Sequence, residues 1–277
     1  MGSQAISKLD GMFAFAYMNF ETQELIVARD ISGIKPLYYI ETDDSIEIAS
    51  EIKSLDYVIS REKLKDQIRI GAFQDTNTPY QNVTILEGGT LLTYSPKHEK
   101  LQSSTFANPL HCIDNSVFQR RKQQSLSCLV DELETLVINN VKSHLISDAP
   151  LATLCSGGVD SSLISAIAAQ HTQLDLYHAG VEGGGGEEEY AEIVSKHLGK
   201  NIIYEKMTAD KYWSAFPYLT YISDLPIYHP NDISLHCIAS RAHTDGIKVM
   251  LSGEGADELF GGYSWHQRQM KQYRLAR

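Results

Sequence analysis

The stretch 154–162, with the sequence LCSGGVDSS, decides the fold of the second half of the chain. An apolar run stops there at a pair of glycines, and a helix rich in hydroxyl side chains is predicted to follow. Glycines allow a sharp turn with bared backbone N–H groups, and a helix opening at Ser161 adds the positive end of its dipole. The pattern predicts a loop that binds a polyphosphate.

The residues around Asp160 distinguish this loop from the common nucleotide-binding loop. A Walker-type loop carries a lysine and then a serine or threonine after its last glycine, whereas Val159 and Asp160 follow Gly158 here. An acid beside bound phosphate is favourable only with a cation between them, most simply Mg²⁺. We therefore expect the site to hold Mg²⁺ together with the phosphates.

Strand and helix patterns alternate around this loop. An amphipathic helix is predicted over 126–145, with later helices over 161–170 and 187–198, the last ended by Gly199. Short apolar runs predict strands over 151–155, 174–179, 202–206 and 249–251. This order indicates a parallel α/β sheet, in which ligands bind at the carboxyl ends of the strands.

A second glycine-rich stretch, 252–263 with the sequence SGEGADELFGGY, follows the predicted strand 249–251. Its acids could simply complement a helix dipole, but that interpretation leaves Glu254, between two glycines, unexplained. The functional interpretation is that Asp257 joins Asp160 on Mg²⁺ while Glu254 addresses the substrate. Residues 156–162 and 252–263 are called the first and second glycine loops below.

The first half of the chain indicates antiparallel strands, over 12–19, 25–28, 37–40, 46–49 and 90–94. No complete second layer to cover this sheet is visible in the sequence. Arg29 and Asp30 are predicted to form an ion pair that braces a turn. Because residues around 103–124 lack periodicity, we expect a domain over 1–105, a linker over 106–125 and a second domain over 126–277.

Composition limits the function classes. The 277 residues carry 35 acids against 24 lysines and arginines, a net charge of −11, which disfavours binding to nucleic acid or to an anionic membrane. The four cysteines show no metal-ligand spacing, and no signal segment or long apolar span is present, so a cytoplasmic protein is expected. Cys155, inside an apolar run, is predicted to be a buried core residue.

Together the two glycine loops resemble the synthetase domain of the glutamine-hydrolysing asparagine synthetase family, of the class B type. Residues 143–150, which lead into the first loop, are also similar to that family. In the first half, 10–15, 28–30, 33–39 and 49–53 resemble its glutaminase domain. The resemblance implies an α/β protein with a partial, β-rich Ntn-type glutaminase domain followed by a parallel-sheet ATP pyrophosphatase domain.

The resemblance also implies a chemistry: ATP activates the side-chain carboxylate of aspartate as an acyl-adenylate, and ammonia, normally from glutamine, forms the amide. Mg²⁺ would be held by Asp160 and Asp257, and Glu254 would assist at the carboxylate or the incoming nitrogen. ATP would contact Asp160, and its phosphates would be bound by Ser156, Gly157, Gly158, Ser161 and Ser162. The nucleoside would be flanked by Leu154, Val181, Ser252 and Gly253. The resemblance also allows a homodimer.

Departures from the family pattern limit this expectation. The family's glutaminase uses an N-terminal cysteine, whereas this chain begins Met1-Gly2-Ser3, so we expect no glutamine hydrolysis. The family's synthetase domain continues well past the second loop, so we also expect this domain to be incomplete at its C-terminal end. Three alternatives stay open. They are a different amide former of the β-lactam synthetase or lasso cyclase kind, a tRNA-modifying ATP pyrophosphatase, which the acidic charge disfavours, and a non-catalytic nucleotide-binding protein.

Overall fold

The structure is a computed structural model that describes residues 2–70, 76–97, 100–184, 186–227 and 229–275. Contacts divide the chain into two units. Unit 1 contains Met1–Gln123 together with Thr220–Tyr228, and unit 2 contains Gln124–Leu219 and His229–Arg277. The segment from Thr220 therefore belongs to the first unit although it lies late in the sequence.

Unit 1 is built mainly from antiparallel strands: β1 (Ala14–Asn19), β2 (Glu24–Arg29), β3 (Tyr38–Glu41), β4 (Ile46–Ala49), β5 (Thr84–Ile85), β6 (Thr90–Tyr94) and β7 (Gln102–Thr105). Its helices are α1 (Arg61–Ile70) and α2 (Asn115–Arg121), with 3₁₀ turns at Gly2–Lys8, Ile52–Ser54 and Pro109–Cys112. Among the described residues the strands form two sheets, in the orders β1-β2-β6-β7 and β4-β3-β5.

The second sheet corrects the expectation that the first has no covering layer. Buried Val27 and Leu92 of the larger sheet form one hydrophobic cluster, against which Tyr39 and Ile48 of the smaller sheet pack. The two sheets thus bury a shared apolar interior, as a layered domain requires. The sequence predicted β3 and β4, but strand patterns alone do not indicate that these strands form a sheet separate from that of β1, β2 and β6.

Arg29 and Asp30 brace a turn, but by bonds to the backbone and not by the predicted mutual ion pair. The Arg29 guanidinium donates to the carbonyls of Gly33, Lys35 and Leu86 at 2.5, 2.7 and 2.6 Å. The buried Asp30 carboxylate accepts from the backbone N–H groups of four residues, including Phe13. Burial alone would raise the Asp30 pKa, but these donors hold the pKa below its usual value.

The segment Thr220–Tyr228 is held in unit 1 through Asp224. The Asp224 carboxylate, 8% exposed, accepts from the backbone N–H of Ile52 at 2.8 Å and from Lys53 Nζ at 3.0 Å. The Tyr80 hydroxyl donates to the Asp224 carbonyl at 2.7 Å. These contacts join positions far apart in the sequence, which local patterns do not reveal.

Unit 2 alternates strands and helices: α3 (Leu126–His144), β8 (Leu151–Leu154), α4 (Val159–His171), β9 (Leu176–Val181), α5 (Glu187–Leu198), β10 (Ile202–Met207), α6 (Ala209–Ser223, which ends in unit 1), α7 (Pro230–Thr244), β11 (Val249–Leu251), α8 (Ala256–Phe260) and α9 (Ser264–Leu275). The strands form a parallel sheet in the order β10-β9-β8-β11. The predicted parallel α/β sheet is confirmed.

Both faces of this parallel sheet are covered. Leu176 and Cys155 are buried in a cluster with residues of α3, α4 and α5, whereas Tyr177 and Ala152 are buried in a cluster with residues of α7. Adjacent strand residues point to opposite faces, which explains why neighbours in sequence enter different clusters. Cys155 is a buried core residue, as predicted, and burial raises the pKa of its thiol.

Candidate functional site

The parallel sheet brings the two glycine loops to one edge. Strands β8 and β11 are hydrogen-bonded neighbours, with Thr153 opposite Leu251 near their carboxyl ends. The first loop follows β8 and the second follows β11, so both loops leave the same edge of the sheet. This is the edge at which parallel α/β sheets bind their ligands.

Gly157 gives the first loop its shape. Its φ of 84° lies in the left-handed region, and a Cβ there would come within 2.6 Å of both the backbone nitrogen of Ala191 and the Cβ of Tyr190. Only glycine therefore fits, both for backbone conformation and for close packing against α5. The first loop is therefore packed closely against helix α5 at this position.

A hydrogen-bond network centred on the buried Ser161 hydroxyl closes the first loop on itself. Ser161 Oγ lies 2.9 Å from Ser156 Oγ, accepts from the Ser156 backbone N–H at 3.2 Å and lies 3.3 Å from the Gly158 carbonyl. Helix α4 begins at Val159, two residues before the predicted start, and its N-cap residue Gly158 supplies no side-chain cap. Backbone N–H groups at this helix start stay available to an anion.

The two glycine loops touch at Gly253. A Cβ on Gly253 would lie 3.0 Å from the backbone nitrogen of Ser161 and 3.1 Å from the Cβ of Asp160. The absence of a side chain thus lets the second loop approach the start of α4. The structure places Gly253 beside Asp160 and Ser161, all three of them members of the predicted site.

The acids of the second loop lie around the Tyr263 hydroxyl. Tyr263 donates a 2.7 Å hydrogen bond to Glu258, and this bond, some burial, and the charges of Glu258, Asp257 and Glu254 raise the pKa of Tyr263 to about 12. The same bond lowers the Glu258 pKa. The second loop therefore presents a local concentration of negative charge.

The carboxylates predicted to hold a metal differ in how they are engaged. Within the described ranges, the Asp160 and Glu254 carboxylates make no hydrogen bond or ion pair, and Asp257 Oδ1 lies against Gly262. No group of three or more His, Cys, Asp or Glu side chains placed for a metal occurs in the described part of the chain. The shared metal of Asp160 and Asp257 stays a prediction.

The remaining predicted residues lie along the same edge. Leu154 ends β8 and Val181 ends β9, where the Val181 side chain is 55% exposed. Ser162 lies in the first turn of α4 with a buried Oγ that has no partner among the described residues. The structure thus places all the predicted nucleoside and phosphate residues at one end of the sheet.

The sequence did not indicate the residues of α5 and β9 that contact the first loop and the residue before it. Tyr190 and Ala191 of α5 pack on Gly157, and His178 of β9 contacts the carbonyl of Cys155. A histidine inside an apolar strand was the one available signal, since a buried polar side chain requires a hydrogen-bond partner. No local pattern indicated Tyr190.

The parallel sheet, with its two glycine loops at the carboxyl ends of neighbouring strands, defines an α/β protein. The family model for asparagine synthase matches residues 132–277, and the model for a glutamine amidotransferase domain matches residues 1–106. The first match covers more than half of the chain, so the chain belongs to the asparagine synthase family.

Individual relatives agree with this family. Asparagine synthetase [glutamine-hydrolyzing] 1 of Bacillus subtilis is 32% identical over 274 residues, which make up 96% of this chain and 42% of that protein. Amidase chry2 of Gibberella zeae is 30% identical over 281 residues, covering 95% of this chain and 41% of that protein. The chain therefore spans less than half the length of these curated relatives.

A solved glutamine-dependent NAD⁺ synthetase from Acinetobacter baumannii is similar over 94% of this chain and 64% of its own, with 9% identity and a TM-score of 0.35. A likeness at that score supports no further argument. None of the described helices combines the length and the apolar character that crossing a membrane requires.

Proposed function

We propose that unit 2 binds ATP at the two glycine loops and transfers its adenylyl group to a carboxylate, as the first half of an amide-forming reaction. One observation carries the proposal. Gly253 of the second loop packs on Asp160 and Ser161 of the first, which brings a loop with free backbone N–H groups next to a loop rich in acids.

In this proposal the first loop holds the phosphates. The N–H groups at the start of α4 lie at the positive end of the helix dipole, which would stabilise the negative charge that develops on pyrophosphate. The hydroxyls of Ser156, Ser161 and Ser162 add further donors, together with the backbone of Gly157 and Gly158. Leu154, Val181, Ser252 and Gly253 would flank the nucleoside at the strand ends.

The reaction proposed has two steps. A carboxylate oxygen of the acceptor acid attacks the α-phosphorus of ATP, and the bond to the bridging oxygen breaks to release pyrophosphate. Ammonia then attacks the activated carbonyl carbon, loses a proton, and AMP leaves with the electron pair of the acyl–oxygen bond. Fixed N–H donors that stabilise charge on oxygens are the expected main source of rate.

In the proposal Asp160 and Asp257 would supply carboxylate oxygens, the ligand type that Mg²⁺ prefers, and the Asp160 carboxylate has no hydrogen-bond or ion-pair partner among the described residues. A bound Mg²⁺ would neutralise charge on the leaving pyrophosphate. Glu254, exposed between two glycines, would assist at the acceptor carboxylate or the incoming nitrogen.

The acceptor acid that we propose is aspartate, and the supporting observation is the name that several curated relatives carry. A second candidate is an amide former that activates a carboxylate other than that of aspartate, because relatives of comparable identity do not all carry the name asparagine synthetase. Exchange of labelled pyrophosphate into ATP separates the two candidates, since it requires the acceptor acid but no nitrogen donor.

The test uses this chain with Mg-ATP, labelled pyrophosphate and either aspartate or other amino and carboxylic acids. We expect aspartate-dependent exchange that falls about a hundredfold or more in Asp160→Asn, the scale of losing one charge-stabilising group. Asp210→Asn is the matched control, because Asp210 is an exposed acid in the first turn of another helix, α6. Exchange that persists in Asp160→Asn refutes the assignment of Asp160 as a Mg²⁺ ligand. Exchange that occurs only with an acid other than aspartate selects the second candidate.

A further inference from the structure

His178 is a buried polar residue that the proposed reaction does not use. It lies in β9 with 1% of its surface exposed, and its ring contacts that of Tyr204 edge-on at 5.6 Å between centroids. Its Nδ1 lies 2.9 Å from the carbonyl oxygen of Cys155, the residue directly before the first glycine loop. A histidine at this depth requires an explanation in terms of hydrogen bonds.

The bond to Cys155 decides which ring nitrogen carries the hydrogen. A carbonyl oxygen only accepts, so Nδ1 of His178 must be the donor. In the uncharged ring Nε2 is then the acceptor nitrogen, and it is buried with no partner among the described residues. The ring is therefore held by one directed hydrogen bond and by packing.

The peptide group that His178 contacts is the one that opens the first loop. Its carbonyl, from Cys155, accepts from His178, while its N–H, from Ser156, donates to Ser161 Oγ at 3.2 Å. A peptide group is planar, so fixing the carbonyl direction also fixes the direction of the N–H. His178 and Ser161 thus hold the two ends of one rigid plane.

The backbone hydrogen bonds between the strands do not fix the orientation of the Cys155–Ser156 peptide group. The Cys155 N–H is already bonded to the Tyr177 carbonyl at 2.8 Å, in the regular ladder between β8 and β9. The ladder ends at Cys155, since β8 ends at Leu154 and the loop begins at Ser156. The His178 side chain takes over where the backbone ladder no longer constrains the chain.

We propose that His178 is a positioning residue for the proposed phosphate-binding loop. Its Nδ1–H orients the Cys155–Ser156 peptide, and this peptide in turn places the hydroxyls of Ser156 and Ser161 for bound phosphate. This proposal rests on the proposed function, because it assumes that the first loop binds ATP. His178 itself touches no substrate atom in this account.

A matched pair of variants tests the hydrogen bond. Asparagine and leucine have nearly the same shape, but only asparagine offers an N–H near the place of Nδ1. We expect His178→Leu to weaken Mg-ATP binding about tenfold and His178→Asn to bind within about threefold of the wild type, measured by calorimetric titration. Both variants replace the ring by a smaller side chain of similar shape, so a loss due to packing alone would affect them about equally.

The overturning results are equally concrete. Unchanged Mg-ATP affinity in His178→Leu, or equal losses in both variants, refutes positioning by the hydrogen bond. A long-range ¹H–¹⁵N spectrum of the wild type provides a readout that no variant's folding can confuse. It should show the hydrogen of His178 on Nδ1, and a hydrogen on Nε2 alone would overturn the proposal.

Failure of the proposed function is distinguishable from failure of this inference. If the wild type does not bind Mg-ATP, the proposed function is wrong. The positioning role of His178 is then tested by measurements on the Ser156 backbone amide alone. Its hydrogen exchange and chemical shift should change in His178→Leu and recover in His178→Asn. A Ser156 amide that is unaffected by His178→Leu refutes the inference whatever the nucleotide result.

Discussion

The two glycine loops lie at the same sheet edge but are built in opposite ways. The first is held by its own hydrogen bonds around Ser161 and by close packing of Gly157 on α5. In the second, Gly255 has a left-handed φ of 88° and open space around it, and Glu254 is exposed. The comparison indicates that the first loop is preformed and that the second loop is less constrained around Gly255 and carries negative charge. The first loop, as the proposed phosphate site, is called the cradle below.

The largest expected effect comes from filling the tightest position of the first loop. Gly157→Ala should lower the free energy of unfolding by about 3 kcal/mol, since it adds left-handed backbone strain to overpacking against Ala191 and Tyr190. Chemical denaturation of the variant measures this loss. A tightly packed cradle requires a large value.

Gly183→Ala is the matched control for that experiment. Gly183 has a similar left-handed φ of 75° but nothing within 4 Å of the position of a Cβ. Only the strain should remain, about 1 kcal/mol. Equal losses at Gly157 and Gly183 would show that packing on α5 contributes nothing, and the contrast between the loops would fail.

A smaller effect is expected where the loops meet. Gly253→Ala places a Cβ about as close to Ser161 as packing allows and should cost about 1–2 kcal/mol of stability, with a changed Ser161 amide shift in NMR spectra. In Gly158→Ala the added Cβ finds only an ordinary contact of 3.4 Å with Ser156 Oγ, and the cost should stay below about 1 kcal/mol. An unmoved Ser161 amide in Gly253→Ala would contradict contact between the loops.

Two serine variants should separate the effect on stability from the effect on nucleotide binding. Ser161→Ala should cost about 1 kcal/mol of stability and raise the Kd for Mg-ATP about tenfold, because the Ser156 N–H loses its acceptor. Ser165→Ala removes a buried bond of 2.9 Å to Thr153 outside the loop and should cost about 1–2 kcal/mol without changing the Kd. Equal Kd values for Mg-ATP in the two variants would contradict a role of the Ser161 hydrogen bonds in nucleotide binding.

The smallest effect concerns the charge of the second loop. Glu258→Gln should lower the pKa of Tyr263 from about 12, because the phenol loses the carboxylate that accepts its hydrogen and opposes its ionisation. The bond contributes fully up to about pH 10, the ordinary tyrosine pKa, and its contribution is lost as the pH rises through about 12. It is also lost in acid, as Glu258, whose pKa the bond lowers, becomes protonated.

NMR titration of ¹³C-labelled tyrosines, with the Tyr263 signal assigned by Tyr263→Phe, measures this shift. Glu187→Gln serves as the control, since Glu187 is an exposed acid that opens α5 and is absent from the groups that shift Tyr263. A Tyr263 pKa that stays near 12 in Glu258→Gln would mean that the second loop does not concentrate charge at Tyr263 in this way.

Much of unit 2 could be predicted because its signals are local. Apolar runs followed by glycines predicted β8 and β11, and Gly199 ends α5 in the left-handed conformation that a glycine C-cap supplies. The start of α4 was predicted two residues late, since a glycine cap leaves no side-chain signal in the sequence. Strand β9 begins and ends two residues later than predicted.

Unit 1 was harder to predict because its contacts are not local. Strand β7, with the sequence QSST, is exposed throughout and shows no apolar alternation. Helix α1, over Arg61–Ile70, was not among the elements predicted from the sequence. The place of Asp224 beside Ile52 and Lys53 depends on a segment that returns from far along the chain.

The sequence by itself determined the two glycine loops, the parallel sheet that carries them and the residue types of the proposed site. Glycine placement and hydrophobic period are local properties, which a single stretch of chain expresses. Only the tertiary structure decided that Gly253 contacts Ser161, that α5 supports Gly157 and that His178 holds the peptide before the first loop. Those contacts join positions distant in sequence, and packing and planarity of the peptide select them only once the sheet has formed.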